Sequence, residues 1–307
     1  MNQPIVSVIM NCYNSATYLS EAIDSVYAQT FRDWEIIFYD NDSIDNSAEI
    51  AKSYDHKLKY FKSEKTISLG AARKAAIDFS EGKYIAFLDC DDLWLPEKLE
   101  RQVAAIAQAH FSERRNGLCY TSAVRIDGAG NTLLPYAYRI KLAQGNIYKA
   151  LIEDCFIACS ATLMDKEVYR VTGDFDEKYH MVEELDLWLR IAKDYDVVLV
   201  DQALTKIRMH AHNQSNNNLI TIEEYGCLLT EKLIKDSDVA DLCKKKIDEL
   251  RLRKMFVQMA VAKKGVARFL KNFCVVIGFC LLHPIISMRF FKKYFSFNMI
   301  YLFFKKF

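Results

Sequence analysis

The sequence predicts an α/β protein in which a mostly parallel sheet carries helices on both faces. Short β-branched runs alternate with segments whose apolar residues follow helical spacing, and no turn-only connection joins one run to the next in the first 95 residues. The chain has 307 residues, 51% of them apolar, which is enough for one large domain with an extension. In such sheets, ligands bind beyond the carboxyl ends of the strands.

The first 95 residues contain four predicted strands and three predicted helices. The first helix is capped by Asn14 or Ser15, and its apolar residues Leu19, Ile23, Val26 and Tyr27 follow helical spacing. The strands are predicted at 5–10, 34–39, 58–61 and 83–88, and the remaining helices at 48–54 and 70–79.

The rest of the chain is less regular. A helix from beyond Pro96 to about residue 110 leads to GLCYTSAV and the turn sequence DGAGN, which together indicate a hairpin. Further strands are predicted at 157–163, 197–200 and 204–209, and helices at 166–171 and 182–193, with helical periodicity over 221–261.

Charge and cysteine content exclude some classes of protein. The formal net charge of +1 gives no global field for nucleic acid, so no nucleic-acid partner is expected. Nine cysteines without a C-x-x-C pair indicate reduced thiols, and no secretory signal begins the sequence, which favours a cytoplasmic location. NCYNSA follows the first strand where a dinucleotide oxidoreductase would carry G-x-G-x-x-G.

Two predicted strands run directly into acidic loops. Asp40 and Asp42 follow one strand, and Asp89, Asp91 and Asp92 follow another. Clustered carboxylates at a strand end are tolerated around a hard cation such as Mg²⁺ or Mn²⁺, which also binds phosphate oxygens. The alternative is structural, with Asp92 capping the helix that follows.

Several separated motifs resemble the family-2 glycosyltransferases of the GT-A fold, in order and in spacing. They are VSVIMNCYNSATYLSEAIDSVYAQTFRDWEIIFYDNDSIDNS, SLGAARKAAIDFSEGKYIAFLDCDDLWLPEKL, and EELDLWLRI followed by IRMHAHNQS. The resemblance implies a GT-A catalytic domain over 1–215, with a nucleotide-sugar half at about 1–95 and an acceptor half at about 96–215. A helical extension at 216–264 and a basic apolar tail at 265–307 would follow.

The resemblance also implies roles for the residues on the donor side. Asn11, Tyr13 and Asp40 would hold the nucleotide, with Asp40 on the base or ribose. Arg73 would lie near the phosphates or the donor sugar, and Asp89 and Asp91 match the D-x-D pair that binds a divalent metal. Two positions depart from the family: Asp42 stands where a glycine is common, and Lys74 replaces the usual Asn.

On the acceptor side, Glu184 matches the family's catalytic base. The family usually has Asp at this position, and the Glu side chain is one methylene longer. His210 matches a histidine near the metal and diphosphate. Asp186 is interpreted as structural, because it lies two residues beyond Glu184 and points to a different helix face. Trp188, at helical spacing from Glu184, is interpreted as a core residue and not as a sugar platform. The irregular segment 136–176, including Cys159, Ser160 and the loop 173–176, would line the acceptor.

Together these features predict an inverting, metal-dependent glycosyltransferase. Glu184 would deprotonate an acceptor hydroxyl, and Mn²⁺ or Mg²⁺ would neutralise the diphosphate that leaves a nucleotide sugar, expected to be a UDP-sugar. The acceptor would be a saccharide or lipid-linked saccharide in cell-surface polysaccharide or lipopolysaccharide synthesis. The alternative is a non-catalytic nucleotide-sugar-binding subunit of a polysaccharide assembly complex.

The end of the chain has a composition of its own. From Lys263 to Phe307 there are nine basic residues and no Asp or Glu, and the apolar stretches are shorter than a bilayer span. This pattern predicts peripheral association with the anionic inner face of the cell membrane. The alternatives are a re-entrant or spanning hairpin, or a helix pair that packs on the catalytic domain or on the second chain of a homodimer.

Overall fold

A nine-stranded sheet forms the centre of the described chain. The structure is a computed structural model that describes residues 3–135, 141–211, 213, 218–261 and 288. The strands in these residues are β1 (Val6–Cys12), β2 (Trp34–Asp40), β3 (Leu58–Lys62), β4 (Tyr84–Phe87), β5 (Leu93–Trp94), β6 (Asn116–Ile126), β7 (Thr132–Pro135), β8 (Thr162–Asp165) and β9 (Asp196–Arg208).

Helices occupy most of the connections between these strands. They are α1 (Ala16–Tyr27), α2 (Ser47–Lys52), α3 (Leu69–Asp78), α4 (Lys98–Gln108), α5 (Tyr148–Glu153), α6 (Lys166–Thr172), α7 (Glu183–Asp194), α8 (Asn218–Leu228) and α9 (Ala240–Val261). A 3₁₀ turn at Cys159–Ala161 precedes β8, and a π-helical turn at Leu229–Leu233 follows α8.

The first half of the sheet is parallel, as the sequence predicts. The strand order is β3-β2-β1-β4-β8-β6-β9-β5, with β7 paired to β6, and β3, β2, β1 and β4 all run in the same direction. Val6 pairs with both Trp34 and Tyr84, so β1 lies between β2 and β4. Every residue of β2 and β4 is buried, because helices cover both faces.

The second half of the sheet is mixed, but its long strands keep the same direction. The short strand β8 pairs antiparallel with both β4 and β6, and these two reversals make β6 parallel to β4. β9 pairs parallel with β6. The carboxyl end of β9 therefore lies at the same edge of the sheet as the carboxyl ends of β1, β2 and β4.

Three local predictions were wrong. The expected strands 197–200 and 204–209 are one strand, because irregular pairing near Ser122 lets β9 continue through its exposed residues 201–203. Within the expected strand 157–163, Cys159–Ala161 form a 3₁₀ turn in which Ala161 N donates to the Ala158 carbonyl, and strand β8 begins only at Thr162. Asp92 does not cap a helix, since β5 follows it and α4 begins at Lys98.

The predicted hairpin is confirmed as β6 and β7. They pair antiparallel, and Asp127 closes the turn by accepting hydrogen bonds from the backbone of Ala129 and Asn131.

The chain divides into two compact units, Met1–Asn213 and Gln214–Phe307. The described part of the second unit contains α8, the π-helical turn and α9. Lys254 Nζ lies 2.7 Å from Glu223 Oε1, which joins the two helices. Within the residues that the structure describes, no helix is long and apolar enough to cross a membrane.

Candidate active site

Two loops beyond β1 and β2 are bonded to each other. Asn14 N donates to Ser43 Oγ at 3.0 Å, and Ile44 N donates to Asn14 Oδ1 at 2.9 Å. Asn14 and Asp42 have positive φ values of 50° and 65°, in the left-handed region that Asn and Asp tolerate best after glycine. Asp42 therefore fits the backbone conformation for which the family commonly uses glycine, and its side chain lies 3.5 Å from Lys62 Nζ.

The three residues expected at the nucleotide differ in their surroundings. Tyr13 is 54% exposed at the rim of the sheet edge. Asn11 Nδ2 is buried and has no hydrogen-bond partner among the described residues, so it is a donor available to a ligand. Asp40 is fully buried, and its carboxylate accepts hydrogen bonds from Ser43 N at 2.8 Å and from the Tyr60 hydroxyl at 2.6 Å. In this structure Asp40 stabilises its own loop.

The acidic loop after β4 separates its three carboxylates by giving each a different partner. Asp89 lies 3.4 Å from Arg73, and Asp91 lies 2.9 Å from His210 Nε2. Asp92 is buried and accepts hydrogen bonds from the Ser160 hydroxyl at 2.6 Å and from Arg208 N at 2.9 Å. Charges so close in sequence are tolerated because each carboxylate meets its own cation or hydrogen-bond donor.

Burial and mutual repulsion act on the protonation of this loop. Loss of water and the charges of Asp89 and Asp91 hold the pKa of Asp92 well above its usual range. Desolvation also raises the pKa of Asp89, although Arg73 opposes the change and about half of the side chain is open to solvent. Asp92 is therefore a structural acid, whereas Asp89 and Asp91 face solvent and can reach a ligand.

The middle residue of the D-x-D pair has a packing role. Cys90 is 5% exposed, and its thiol donates to the Asn11 carbonyl at 3.3 Å. This contact ties the acidic loop to the end of β1, where the expected nucleotide residues lie.

Arg73 connects the acidic loop to the start of α7. Its side chain is 2% exposed, with Nη1 3.0 Å from Glu183 and Nη2 2.8 Å from Glu184. The same Nη2 atom lies 3.4 Å from Asp89. Glu184, the expected base, is 26% exposed, so its carboxylate is held by Arg73 and remains reachable from solvent.

The end of β9 supplies a third side of the site. Arg208 is 1% exposed; its guanidinium donates to the carbonyls of Asp91 and Gly128 and to the Glu21 carboxylate. It lies over the ring of Tyr18, which also contacts His210. Arg208, the last residue of β9, thus anchors the backbone of the acidic loop through the Asp91 carbonyl.

Sequence reasoning missed one residue beside His210. The Asn213 amide donates to Asp91 Oδ2 at 3.2 Å and to the Arg208 carbonyl at 3.0 Å, and its oxygen accepts a hydrogen bond from His210 N. Its place in the motif IRMHAHNQS, three residues beyond His210, was a signal that could have found it.

The structure brings some of the predicted residues together and leaves others apart. Arg73, Asp89 and Glu184 form one group, and Asp91 and His210 form a pair. No cluster of three or more metal-ligating side chains is present in the part of the chain that the structure describes. The Asp91 and His210 pair nevertheless suits an ion that takes one or two protein ligands and completes its shell with phosphate oxygens and water.

The roles proposed for neighbouring residues are partly revised. Trp188 is a core residue, as predicted, since it is fully buried and packs edge to face on Phe87. Asp186 is buried and paired with Arg190 at 3.0 Å, which fits the structural interpretation. Ser160 was placed on the acceptor side, but it is 1% exposed. Its hydroxyl accepts a hydrogen bond from Asp89 N and donates one to the Asp92 carboxylate.

The chain matches the family model described as "Glycosyl transferase family 2" over residues 7–170. An uncharacterized glycosyltransferase of Methanocaldococcus jannaschii is 33% identical over 218 residues, covering 68% of this chain and 72% of the relative. The Escherichia coli protein WfgD, a UDP-Glc:alpha-D-GlcNAc-diphosphoundecaprenol beta-1,3-glucosyltransferase, is 28% identical over 71% of this chain and 82% of its own.

Solved structures show the same fold at low sequence identity. TarS of S. aureus, solved in complex with UDP-GlcNAc, gives a TM-score of 0.63 at 18% identity, covering 89% of this chain and 81% of TarS. The mannosyltransferase PcManGT of Pyrobaculum calidifontis, in complex with GDP-Man and Mn²⁺, gives 0.62 at 15% identity, covering 92% and 82%. Since the family model covers more than half of the chain and these structures confirm the predicted GT-A fold, the chain belongs to glycosyl transferase family 2.

Proposed function

We propose that this glycosyltransferase moves a sugar from a UDP-sugar to a hydroxyl of a saccharide or lipid-linked saccharide, with inversion at the anomeric carbon. The observation that carries the proposal is the Arg73 group. Arg73 Nη2 lies 2.8 Å from the candidate base Glu184 and 3.4 Å from Asp89 of the D-x-D pair. Sugar transfer needs a base for the acceptor hydroxyl and a carboxylate that can hold the divalent ion of the diphosphate, and the Arg73 group brings candidates for both to one edge of the sheet.

In the proposed reaction, Glu184 takes the proton of the acceptor hydroxyl. The hydroxyl oxygen forms a bond to the anomeric carbon while the bond from that carbon to the phosphate oxygen breaks, and the nucleoside diphosphate leaves with the electron pair. A single displacement inverts the anomeric configuration. The exposed part of the Glu184 carboxylate provides the access that an acceptor hydroxyl requires.

The negative charge of the leaving diphosphate must be neutralised. A divalent ion, Mn²⁺ or Mg²⁺, supplies this charge stabilisation when bound. Asp89, Asp91 and His210 are the residues that would hold it, with the oxygen and imidazole ligands that these ions accept. Asn11, whose buried amide Nδ2 has no described partner, Tyr13 and the loop of Asp40 would hold the nucleotide.

The relatives support the substrate classes. The E. coli relative is named for UDP-Glc and for an acceptor carried on diphosphoundecaprenol, and a Bacillus subtilis relative, TuaG, is named for putative teichuronic acid biosynthesis. A hexosyl or N-acetylhexosaminyl donor, a lipid-linked acceptor and peripheral attachment to the inner face of the cell membrane follow as proposals for this chain.

The first test is release of nucleoside diphosphate from a panel of nucleotide sugars, with Mn²⁺, with Mg²⁺ and with EDTA. We expect slow release from one UDP-sugar, loss of release in EDTA, and loss in Asp91→Ala. Release that is equally fast in EDTA would contradict the proposed metal dependence. Release from a GDP-sugar alone would contradict the proposal that the donor is a UDP-sugar.

A second test separates an enzyme from a protein that only binds nucleotide sugars. Replacing Glu184 with Gln keeps the size of the side chain and one acceptor oxygen for Arg73 but removes the base, so turnover should fall about 10²- to 10⁴-fold. The affinity for UDP, measured by calorimetry, should stay within about threefold, since the change acts on the chemical step. Unchanged turnover in this variant would exclude Glu184 as the base.

A further inference from the structure

We propose that Arg73 is a positioning residue for Glu184 and does not bind the donor phosphates, which is where the resemblance to the family places it. The inference rests on the proposed role of Glu184 as the base. It concerns how the side chain of that base is kept at one place at the start of α7.

The burial of Arg73 argues against contact with a donor. The side chain is 2% exposed, and its guanidinium carbon lies 5.6 Å from the ring centroid of Phe175 and 6.0 Å from that of Phe87. Both aromatic residues are themselves buried. A phosphate could reach the guanidinium only after these rings and the paired carboxylates had moved.

The two terminal nitrogens of Arg73 already have carboxylate partners. Nη1 pairs with Glu183 at 3.0 Å, and Nη2 is shared between Glu184 and Asp89. Glu183 is only 4% exposed, so the cation of Arg73 stabilises its charge, and removal of that cation would destabilise the buried carboxylate. Arg73 is therefore held in place by Glu183 and presents its second nitrogen to Glu184.

Helix α3 fixes where the guanidinium lies. Its N-terminal cap is Ser68, whose hydroxyl accepts a hydrogen bond from Ala71 N, and Arg73 belongs to its buried face. Gly70 lies on the same helix, and a Cβ there would come within 3.2 Å of Phe175 Cβ. The missing side chain at Gly70 lets Phe175 pack close to α3, beside the guanidinium.

Positioning matters more here because the base is a glutamate. Glutamate has one more rotatable bond than the aspartate common in the family, and a freely rotating carboxylate would spend little time at the acceptor hydroxyl. The 2.8 Å contact with Arg73 restricts the Glu184 carboxylate without covering it, since 26% of the side chain stays exposed.

The test compares Arg73→Lys with Arg115→Lys. Arg115 is the control because it also pairs with a carboxylate of low exposure, that of Asp165 at 2.6 Å, yet contacts none of the proposed reacting groups. For each variant, kcat and KM for transfer are measured together with the affinity for UDP in Mn²⁺ by calorimetry.

We expect Arg73→Lys to lower kcat by roughly 10²-fold, since a small misplacement of a reacting group has an effect of this size. UDP affinity should stay within about threefold, and Arg115→Lys should leave kcat unchanged. Loss of UDP affinity in step with kcat would overturn the proposal, because that is the behaviour of a phosphate ligand. Unchanged kcat in Arg73→Lys would overturn it as well.

A second variant covers the case in which the single substitution does not fold. The double variant Arg73→Gln, Glu183→Gln removes the cation together with the buried charge it compensates, and it should fold, bind UDP and show the same loss of kcat. Failure of the wild-type protein to transfer sugar at all would instead count against the proposed function, so the two failures can be distinguished.

Discussion

At the scale of single residues, Lys98 is a fully buried amine in the core beneath the site. Its Nζ donates to Gln102 Oε1 at 2.7 Å and lies 3.8 Å from the ring centroid of Trp94. No carboxylate among the described residues is bonded to it, and desolvation lowers the pKa of Lys98 from 10.5 to about 7. The folded protein therefore holds a neutral amine above pH 7, whereas the unfolded chain holds an ammonium up to about pH 10.

This difference predicts how stability changes with pH. Between pH 7 and 10 the unfolded chain binds a proton that the folded chain does not, so Lys98 makes the free energy of unfolding rise with pH, by up to about 1.4 kcal/mol per unit. Below pH 7 both states are protonated and the full cost of the buried charge is present. Lys98→Met should remove this rise.

The measurement is urea unfolding of the wild type and Lys98→Met at pH 7.5 and pH 9, followed by tryptophan fluorescence. All three tryptophans lie in the first unit, so the signal reports that unit alone. Lys149→Met, at an exposed position, is the control, and its free energy of unfolding should change with pH as that of the wild type does. If the free energy of unfolding rose equally from pH 7.5 to pH 9 in Lys98→Met and in the wild type, Lys98 would keep its proton in the folded state.

The sequence predicted the chemistry of the site better than its internal contacts. Asp89 and Asp91 stand out because charge follows an apolar strand, and this pattern can be seen without a structure. The pairing of Arg73 with Glu183 joins residues 110 positions apart, and no local periodicity carries that information. Asp92 and Ser160 were misjudged for the same reason, since their mutual hydrogen bond depends on the packing of β4 against β8.

At the scale of elements, the junction after α6 places the backbone in a conformation reserved for glycine. Gly173 has φ 92° and ψ 167°, and it ends the helix that precedes the loop holding Phe175. Arg190 donates to the carbonyls of Thr172, Gly173 and Asp174 and so fixes this geometry.

Gly173→Ala should therefore destabilise the first unit by about 1 to 3 kcal/mol. The cause is backbone strain and not crowding, because an added Cβ would come no closer than 3.7 Å to Arg190. Val171→Ala, two residues earlier and 68% exposed on the same helix, is the control and should cause no loss. Equal midpoints of urea unfolding for the two variants would refute the strain argument.

Elements that follow period and propensity were predicted well, and elements set by their neighbours were not. β1, β2 and α1 are apolar and regular, so their positions could be read from the residues alone. The pair Leu93–Trp94 forms β5 only because β9 lies beside it. β9 continues through its polar residues 201–203 only because its pairing with β6 tolerates an irregular register. Both results depend on contacts that are distant in sequence.

At the scale of the whole molecule, the near-zero net charge results from two parts of opposite sign. Residues 265–307 hold seven Lys or Arg and no Asp or Glu, so the first 264 residues hold 34 basic and 40 acidic residues. These last residues, the basic tail, lie outside the described part of the chain except for Met288, and the expectation that they bind a membrane remains a prediction. An acidic body is repelled by an anionic surface, so the tail alone would have to supply the attraction.

The prediction is that the full chain sediments with vesicles containing anionic phosphatidylglycerol and that a chain lacking residues 265–307 does not. Each Lys or Arg near an anionic surface contributes about 1 kcal/mol, so binding should weaken sharply as salt rises from 50 to 500 mM. Vesicles of neutral phosphatidylcholine are the control and should retain little of either protein. Sedimentation of the truncated chain with anionic vesicles would place the membrane contact elsewhere, since the remaining residues carry excess negative charge. Binding of the full chain that is equally strong at both salt concentrations would show that the aromatic and aliphatic residues of the tail, and not its charges, hold the protein at the bilayer.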